Sequence, residues 1–338
     1  MWHSLRLLSR GCFMLIAVSL SGVYTPADHA CTSEQYRCPV CLKPVVLKKG
    51  RYKIAHFSHQ RIIDCYKSTY KTESLAHLQG KHQLYNMSRG LQVDMEYYLS
   101  DIEQIPDILI ERRLAVELQL SVIPVDAIIR RSAGYRRLGM DVIWIADELK
   151  LTKQGDVLKL TAFQRSLVET SRMQLYSFDS EQNIFYCYQL TELTSDLQMR
   201  YIRSEIQTVA DFTAVRGQLS ACIALSNHQK KGFIRQCLKQ KDVREPTLSA
   251  LYQLRIQHQQ LPASIGIVVP LQFFIRTHPI TWQSQLLLAL KQQTFSVQAF
   301  AVQLEYYGVN DVTMTSEELT AALIRQYSAA YNKLYVQY

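Results

Sequence analysis

The chain carries none of the short motifs of nucleotide or acyl chemistry. It has no P-loop, no GxGxxG turn and no nucleophilic-serine signature, so ATP hydrolysis and hydride transfer find no support. It has no internal repeat and no low-complexity tract, which argues against a solenoid or a long disordered arm. Beyond the N-terminus no apolar run approaches the ~20 residues that a spanning helix needs, so no membrane span is expected. The eight cysteines do not read as a disulfide framework: two are spaced as Cys38-Pro39-Val40-Cys41 and the rest are scattered. That usage favours a cytoplasmic protein.

What is present is ordinary globular composition with a basic balance. With 338 residues, 48% hydrophobic and 20% charged, the chain suffices for two or three domains. A formal charge of +9 favours an anionic partner, nucleic acid first and an acidic membrane surface second. At the N-terminus, Arg6 and Arg10 precede an apolar run, Cys12–Val23, and then Ala27-Asp28-His29-Ala30, in the manner of a secretory leader. The competing reading, which we prefer, takes Met14 as the start and Leu15–Val18 as the first strand, leaving residues 1–13 as a start-site extension.

Residues 14–66 form a small module rich in cysteine, histidine and basic residues. Within it Val45–Leu47 and Tyr52–Ala55 flank a Lys48-Lys49-Gly50-Arg51 turn. From about Ser68 to Leu91 the period is helical, with Leu75, Leu78, His82, Tyr85 and Met87 at three- and four-residue steps. Apolar runs follow at Val93–Leu99, Ile108–Ile110 and Leu114–Leu120. A second helix is expected after Pro124, capped by Asp126 and ended by Gly139, and then a buried strand, Val142–Ile145. Leu175–Phe178 and Ile184–Tyr188 read as a hairpin, and from about Leu190 onward the chain reads mostly as helices, with a basic stretch from Lys230 to Arg244.

The helix, three strands, helix and strand between residues 67 and 190 bring acidic residues together. Glu117 and Gln119 are two apart on a strand and share a face, while Asp107 opens the preceding strand beside them. On the first helix Glu73, His77 and Lys81 fall four apart along one face, with Lys71 close by. Such an oxygen-rich pocket suits Mg²⁺ or Mn²⁺ beside a phosphodiester, where the ion lowers the pKa of an attacking water.

The order of elements resembles the PD-(D/E)xK nuclease superfamily. Pro106-Asp107 matches its first motif and Glu117-Leu118-Gln119 its second, with glutamine where a lysine is usual. Together with Cys38-Pro39-Val40-Cys41, His56-Phe57-Ser58-His59, Glu73-Ser74, Tyr135 and Trp144-Ile145, the chain is similar to the competence protein CoiA family over roughly residues 14–190. That resemblance implies an α/β fold: a restriction-endonuclease-like core, a mixed sheet flanked by helices, at 67–190. It also implies a zinc-ribbon-like module at 14–66 and a helical C-terminal domain at 191–338. It further implies a cytoplasmic factor of transformable bacteria that acts on incoming DNA. In that reading Asp107, Glu117 and Glu73 hold the metal, Gln119 orients water and Lys81 stabilises phosphate charge. Replacing Asp107 or Glu117 by alanine is then expected to abolish cleavage with folding intact. DNA, single-stranded or branched, and recombination proteins are the expected partners. A non-catalytic DNA-binding recombination mediator is the alternative.

Cys38 and Cys41 on a tight turn and His56 and His59 after a hairpin offer two thiolates and two imidazoles, a set that suits tetrahedral Zn²⁺. Cys65 and Cys31 are substitutes for one histidine. Lys43, Lys48, Lys49, Arg51, Lys53 and Arg61 make the same module a DNA-contacting patch. Arg130, Arg131, Arg136 and Arg137 of the second helix are further candidates for phosphate contact, against the plainer reading of a solvated helix face.

Overall fold

Val116 and Leu118 alternate along one strand, and Ile143 and Ile145 along its neighbour, so one face of the central sheet is fully apolar. The opposite face carries Ala115, Glu117 and Gln119 on the first strand and Trp144 and Ala146 on the second, and it too is buried. A sheet buried on both faces needs a layer on each side, and this one has them. The structure, a computed structural model, describes residues 13–39, 41–50, 55–59, 74–214, 219, 221–240, 242, 244–309 and 314–335.

A six-stranded antiparallel sheet comes first. Its strands are β1 (Phe13–Met14), β2 (Ile16–Ser19), β3 (Tyr24–Pro26), β4 (Tyr36–Arg37), β5 (Pro44–Lys48) and β6 (His56–His59), in the order β1-β6-β5-β4-β2-β3. Helix α1 (Leu75–Met87) follows, then β7 (Val93–Met95), β8 (Ile108–Ile110), β9 (Leu114–Gln119), α2 (Val125–Arg137) and β10 (Asp141–Asp147). A hairpin of β11 (Thr152–Gln154) and β12 (Val157–Lys159), the short α3 (Ala162–Ser166), β13 (Gln174–Asp179), β14 (Ile184–Leu193) and β15 (Met199–Ile206) complete a nine-stranded sheet. Its order is β11-β12-β15-β14-β13-β10-β9-β8-β7. The β9–β10 and β10–β13 pairs are parallel and the others antiparallel.

Against one face pack α1 and the N-terminal sheet, with Leu15, Ile16, Leu78 and Leu84 meeting Leu118, Ile145 and Phe178. Helix α1 has no β-branched residue, and Ser74 caps it by accepting from the His77 N–H at 3.2 Å. It lies close because Gly80 faces the sheet: a Cβ there would sit 2.2 Å from Leu118 Cδ2. The other face is covered by α2 and by the C-terminal segment. That segment comprises the two-stranded pair β16 (Ile223–Ala224) and β17 (Ile267–Val268), with α4 (Asn227–Lys239), α5 (Pro246–Leu254), α6 (Pro279–Lys291), α7 (Val297–Ala301) and α8 (Ser316–Tyr335). Arg165 of α3 ties the C-terminal segment to the sheet domain. Its Nη1 donates to Phe273 O at 2.8 Å, and its guanidinium, pulled down to about 10 by burial, lies over the Phe273 and Tyr307 rings at 4.5 and 4.3 Å.

Two local expectations differ from what is observed. The chain beyond Leu190 was expected to be mostly helical, yet β14 continues to Leu193 and β15 joins the same sheet. Only Met199 and Ile206, the ends of β15, are buried, so its sequence carries little of the alternation that announces a strand, and the ladder to β14 supplies the order instead. Pro124, not Asp126, stands at the N-cap of α2, and no side chain caps it; Asp126 lies inside the first turn, near the positive end of the helix. Gly139, at φ +70°, follows the end of α2 as expected. Among the described residues no helix is long and apolar enough to cross a membrane.

Candidate functional site

Asp107 directly precedes β8, one residue beyond the Ile108↔Val116 pair and away from the β8–β9 hairpin, which brings it beside Glu117 of β9. Both carboxylates are buried, at 4% and 0% exposure, which is costly unless each is matched. Asp107 Oδ2 accepts from the Leu118 backbone N–H at 2.8 Å, and His77 Nε2 of α1 lies 2.9 Å from the same oxygen. Glu117 Oε1 accepts from Arg131 Nη2 and from Tyr135 Oη, two residues four apart on one face of α2. Trp144, which pairs with Glu117 in the parallel register, donates its Nε1 to Ser132 Oγ at 2.9 Å and lies 5.2 Å below the Arg131 guanidinium.

The charges follow from this packing. Burial by itself would pull the Arg131 guanidinium down, but the Glu117 charge, helped by Tyr135 and Asp107, leaves it raised above its ordinary value. Burial first and the Glu117 charge second push the Tyr135 phenol up, so it remains a proton donor. Helix α1 brings a second pair: Lys81 Nζ lies 2.6 Å from Glu96 Oε1, with both side chains enclosed. Glu96 has a left-handed backbone, φ +53°, and its N–H donates to Asp107 O at 3.2 Å, so the two pairs share one frame. Gln119 is turned toward the end of β9, its Nε2 donating to Ser121 O at 2.7 Å and to Ser121 Oγ at 3.3 Å.

Of the expected acidic set, therefore, Asp107, Glu117, Gln119, His77 and Lys81 come to one end of β8 and β9 and the facing helices. Glu73 and Lys71 lie outside the described residues. Two carboxylates with fixed orientation fit a hard divalent ion in donor chemistry. Among the described residues no third ligating side chain converges with them. Sequence reading missed Glu96, for which Asp94-Met95-Glu96 carries no signal. It also ranked Arg131 merely as one of four helical arginines. The four-residue spacing of Arg131 and Tyr135 was the available clue, since it puts both over the same strand position.

A second cluster lies in the N-terminal sheet. Cys38 and Cys41 flank a tight turn in which Leu42 N–H donates to Cys38 O at 2.9 Å and Cys38 N–H to Lys43 O at 2.8 Å. The chain then enters β5, whose Val45 pairs with His59 of β6. Ligand atoms of Cys38, Cys41 and His59 all lie within 4.8 Å of one another, and Cys41 Sγ is 3.2 Å from His59 Nε2. Two sulfurs and an imidazole nitrogen at this separation fit Zn²⁺. His56 does not join them: it pairs with Lys48 at the far end of the hairpin, and three residues along a strand shift it by about 10 Å and turn it to the other face. Cys31 is exposed, its thiol beside Ser33 Oγ at 3.0 Å, and Cys65 lies outside the described residues.

Comparison with known proteins bears on both clusters. Residues 26–68 match the family described as competence protein CoiA, N-terminal domain, and residues 73–214 match competence protein CoiA, nuclease-like domain. The chain is also similar to the Competence protein CoiA of Bacillus subtilis (strain 168), 30% identical over 143 residues, which is 40% of this chain and 38% of that relative. The match thus spans well under half of the relative's length. No solved structure matches.

Proposed function

From a chain that carries the N-terminal and nuclease-like domains of the competence protein CoiA family in sequence, we propose a competence factor that hydrolyses DNA phosphodiesters with Mg²⁺ or Mn²⁺. The observation that carries this reading is a pair of buried carboxylates, Asp107 before β8 and Glu117 on the adjacent β9, both held by donors. Asp107 and Glu117, with Glu73, would hold the ion. When bound, a divalent ion polarises a phosphoryl oxygen and lowers the pKa of its water. The remaining parts are the chain's own. His77 and the Leu118 N–H keep Asp107 oriented, Arg131 and Tyr135 do the same for Glu117, and Gln119 stands where it can orient a water. The enclosed Lys81–Glu96 pair, neutral as a whole, fixes α1 against the end of β7 beside the carboxylates. Zn²⁺ on Cys38, Cys41 and His59 would brace the N-terminal sheet, and the net charge of +9 suits a DNA partner.

One observation favours a second reading, a DNA-binding recombination mediator without catalysis. Glu117 and Glu96 are already matched to cations, as buried charges are in a purely structural core. Cleavage of single-stranded, duplex and branched DNA with Mg²⁺ or Mn²⁺ separates the two, using Asp107→Asn and Glu117→Gln as isosteric variants. Metal-dependent cutting that both variants lose supports hydrolysis; binding without cutting by the parent protein supports the mediator.

A further inference from the structure

We propose that Arg131 is the side chain through which this site touches a nucleic-acid phosphate, an assignment that rests on the DNA-acting reading above. Two cations belong to the buried carboxylate cluster. The Lys81 side chain is 0% exposed and its Nζ is 2.6 Å from Glu96, so a phosphate reaches it only by parting α1 from the sheet. The Arg131 side chain is 23% exposed, whereas Glu117 beneath it is 1% exposed. The Arg131 side chain thus reaches solvent while its Nη2 is held on the carboxylate.

The geometry suits a phosphate for three physical reasons. A guanidinium presents five N–H donors in a planar fork, so binding Glu117 through Nη2 does not exhaust it. Its plane is fixed by the ion pair below and by the Trp144 ring at 5.2 Å, which removes most of the ordering cost that a free arginine meets on binding. And charge continues along the same helix: Arg130 and Arg137 are exposed and seven residues apart, two turns of α2, forming a stripe beside Arg131 that a strand backbone can follow. Arg131 therefore links the buried carboxylates to the surface track.

The test is equilibrium binding of the full chain to a labelled single-stranded oligonucleotide over a salt series without magnesium. Removing Arg131 alone would strand the Glu117 charge, so Glu117→Gln/Arg131→Ala is compared with Glu117→Gln, with thermal melting to confirm folding. The expected result is about tenfold weaker binding, and a slope of log K against log salt shallower by about 0.7. Arg276→Ala, which removes an exposed cation of the C-terminal segment, serves as the control and keeps the slope. Equal slopes and affinities for Glu117→Gln and the double variant overturn the assignment, as does an equal loss in Arg276→Ala or no binding by the parent protein. Cleavage with Mg²⁺ is scored apart. An Arg131-dependent slope without cutting removes the hydrolytic reading and keeps the contact; cutting with an unchanged slope does the reverse.

Discussion

In the N-terminal sheet three donors, Cys38, Cys41 and His59, converge within 4.8 Å around one turn. In the nuclease-like domain each acid is instead matched to donors of its own: Glu117 to Arg131 and Tyr135, Asp107 to His77 and the Leu118 N–H, Glu96 to Lys81. The first cluster is a set of electron-pair donors aimed at one point, and an ion there contributes to folding itself. The second is close to electrically balanced, so an ion there adds chemistry to a frame that already holds. The same element class, a strand with a neighbouring turn or helix, thus builds two donor sets of different kind, one converging on a point and one matched within the chain.

The largest expected effect breaks this contrast or confirms it. Replacing Cys41 by serine, or removing metal with a chelator, is expected to cost the N-terminal sheet on the order of 10 kcal/mol of ion-linked stabilisation. Hydrogen exchange then shows β4 to β6 opening while β8 to β10 stay protected. A sheet that keeps its protection after zinc removal, with zinc loss verified by a colorimetric assay, makes the Cys/His turn structural without an ion.

Next in size is the balance of the acidic pocket. Glu117→Ala leaves the Arg131 guanidinium partly buried without its carboxylate and is expected to cost about 3–5 kcal/mol. This revises the expectation of intact folding drawn from sequence, and Glu117→Gln is the variant to use for activity because it retains an acceptor for Arg131 and Tyr135. Urea unfolding of the two variants checks the point. Similar midpoints for Ala and Gln would mean that the pair adds little.

An acid titration meant to strip metal from either site needs a known background, and His278 supplies it. The ring stacks on Phe233 at 3.6 Å and its Nδ1 caps α6 by accepting from the Ile280 N–H at 3.2 Å, so the folded state wants it neutral. Burial lowers it to about 4 from an ordinary 6.5. The unfolded chain then binds more protons between those values, and the stability this provides is full above pH 6.5 and is lost as pH falls toward 4. The loss amounts to about 3 kcal/mol. His278→Asn keeps a helix cap without titrating, and its stability is expected to fall less than the parent's between pH 7 and 5. Parallel curves for the two proteins would assign the acid sensitivity elsewhere.

How far these sites were legible in the chain follows from the range of the interactions that build them. Apolar alternation and helix period located β8, β9, α2 and β10, and with them the meeting of Asp107 and Glu117, because strand pairing needs only register. The Cys38–Cys41 turn was legible for the same reason. His56 looked equivalent to His59 in a His-x-x-His spacing, but period two along a strand separates them. Glu96 was illegible: its left-handed backbone and its pairing with Lys81, fifteen residues earlier, arise only once α1 lies on the sheet. Gln119 is expected from its motif position to orient a water; its amide nitrogen also secures the chain reversal at Ser121, a bond that no motif spacing announces.

The smallest effect is the sharpest test of the frame that holds the acidic pocket. In an exposed helix, Gly→Ala stabilises by roughly 1 kcal/mol. At Gly80 the added Cβ would sit 2.2 Å from Leu118 Cδ2 and 3.2 Å from two atoms of the Phe178 ring, and Leu118, at 1% exposure, has no room to swing aside. Overpacking costs about 1–3 kcal/mol, so Gly80→Ala is expected to be neutral to destabilising by up to about 2 kcal/mol. Its larger consequence is positional. Lifting α1 from β9 draws His77 from Asp107 and Lys81 from Glu96, while the Cys/His turn, built by β4 to β6, is left as it was. Metal-dependent cleavage that falls with zinc content and N-terminal protection unchanged places the close approach of α1 at the root of the pocket. A variant that gains stability and keeps its cleavage would mean that the pocket is held by β8, β9 and α2 alone.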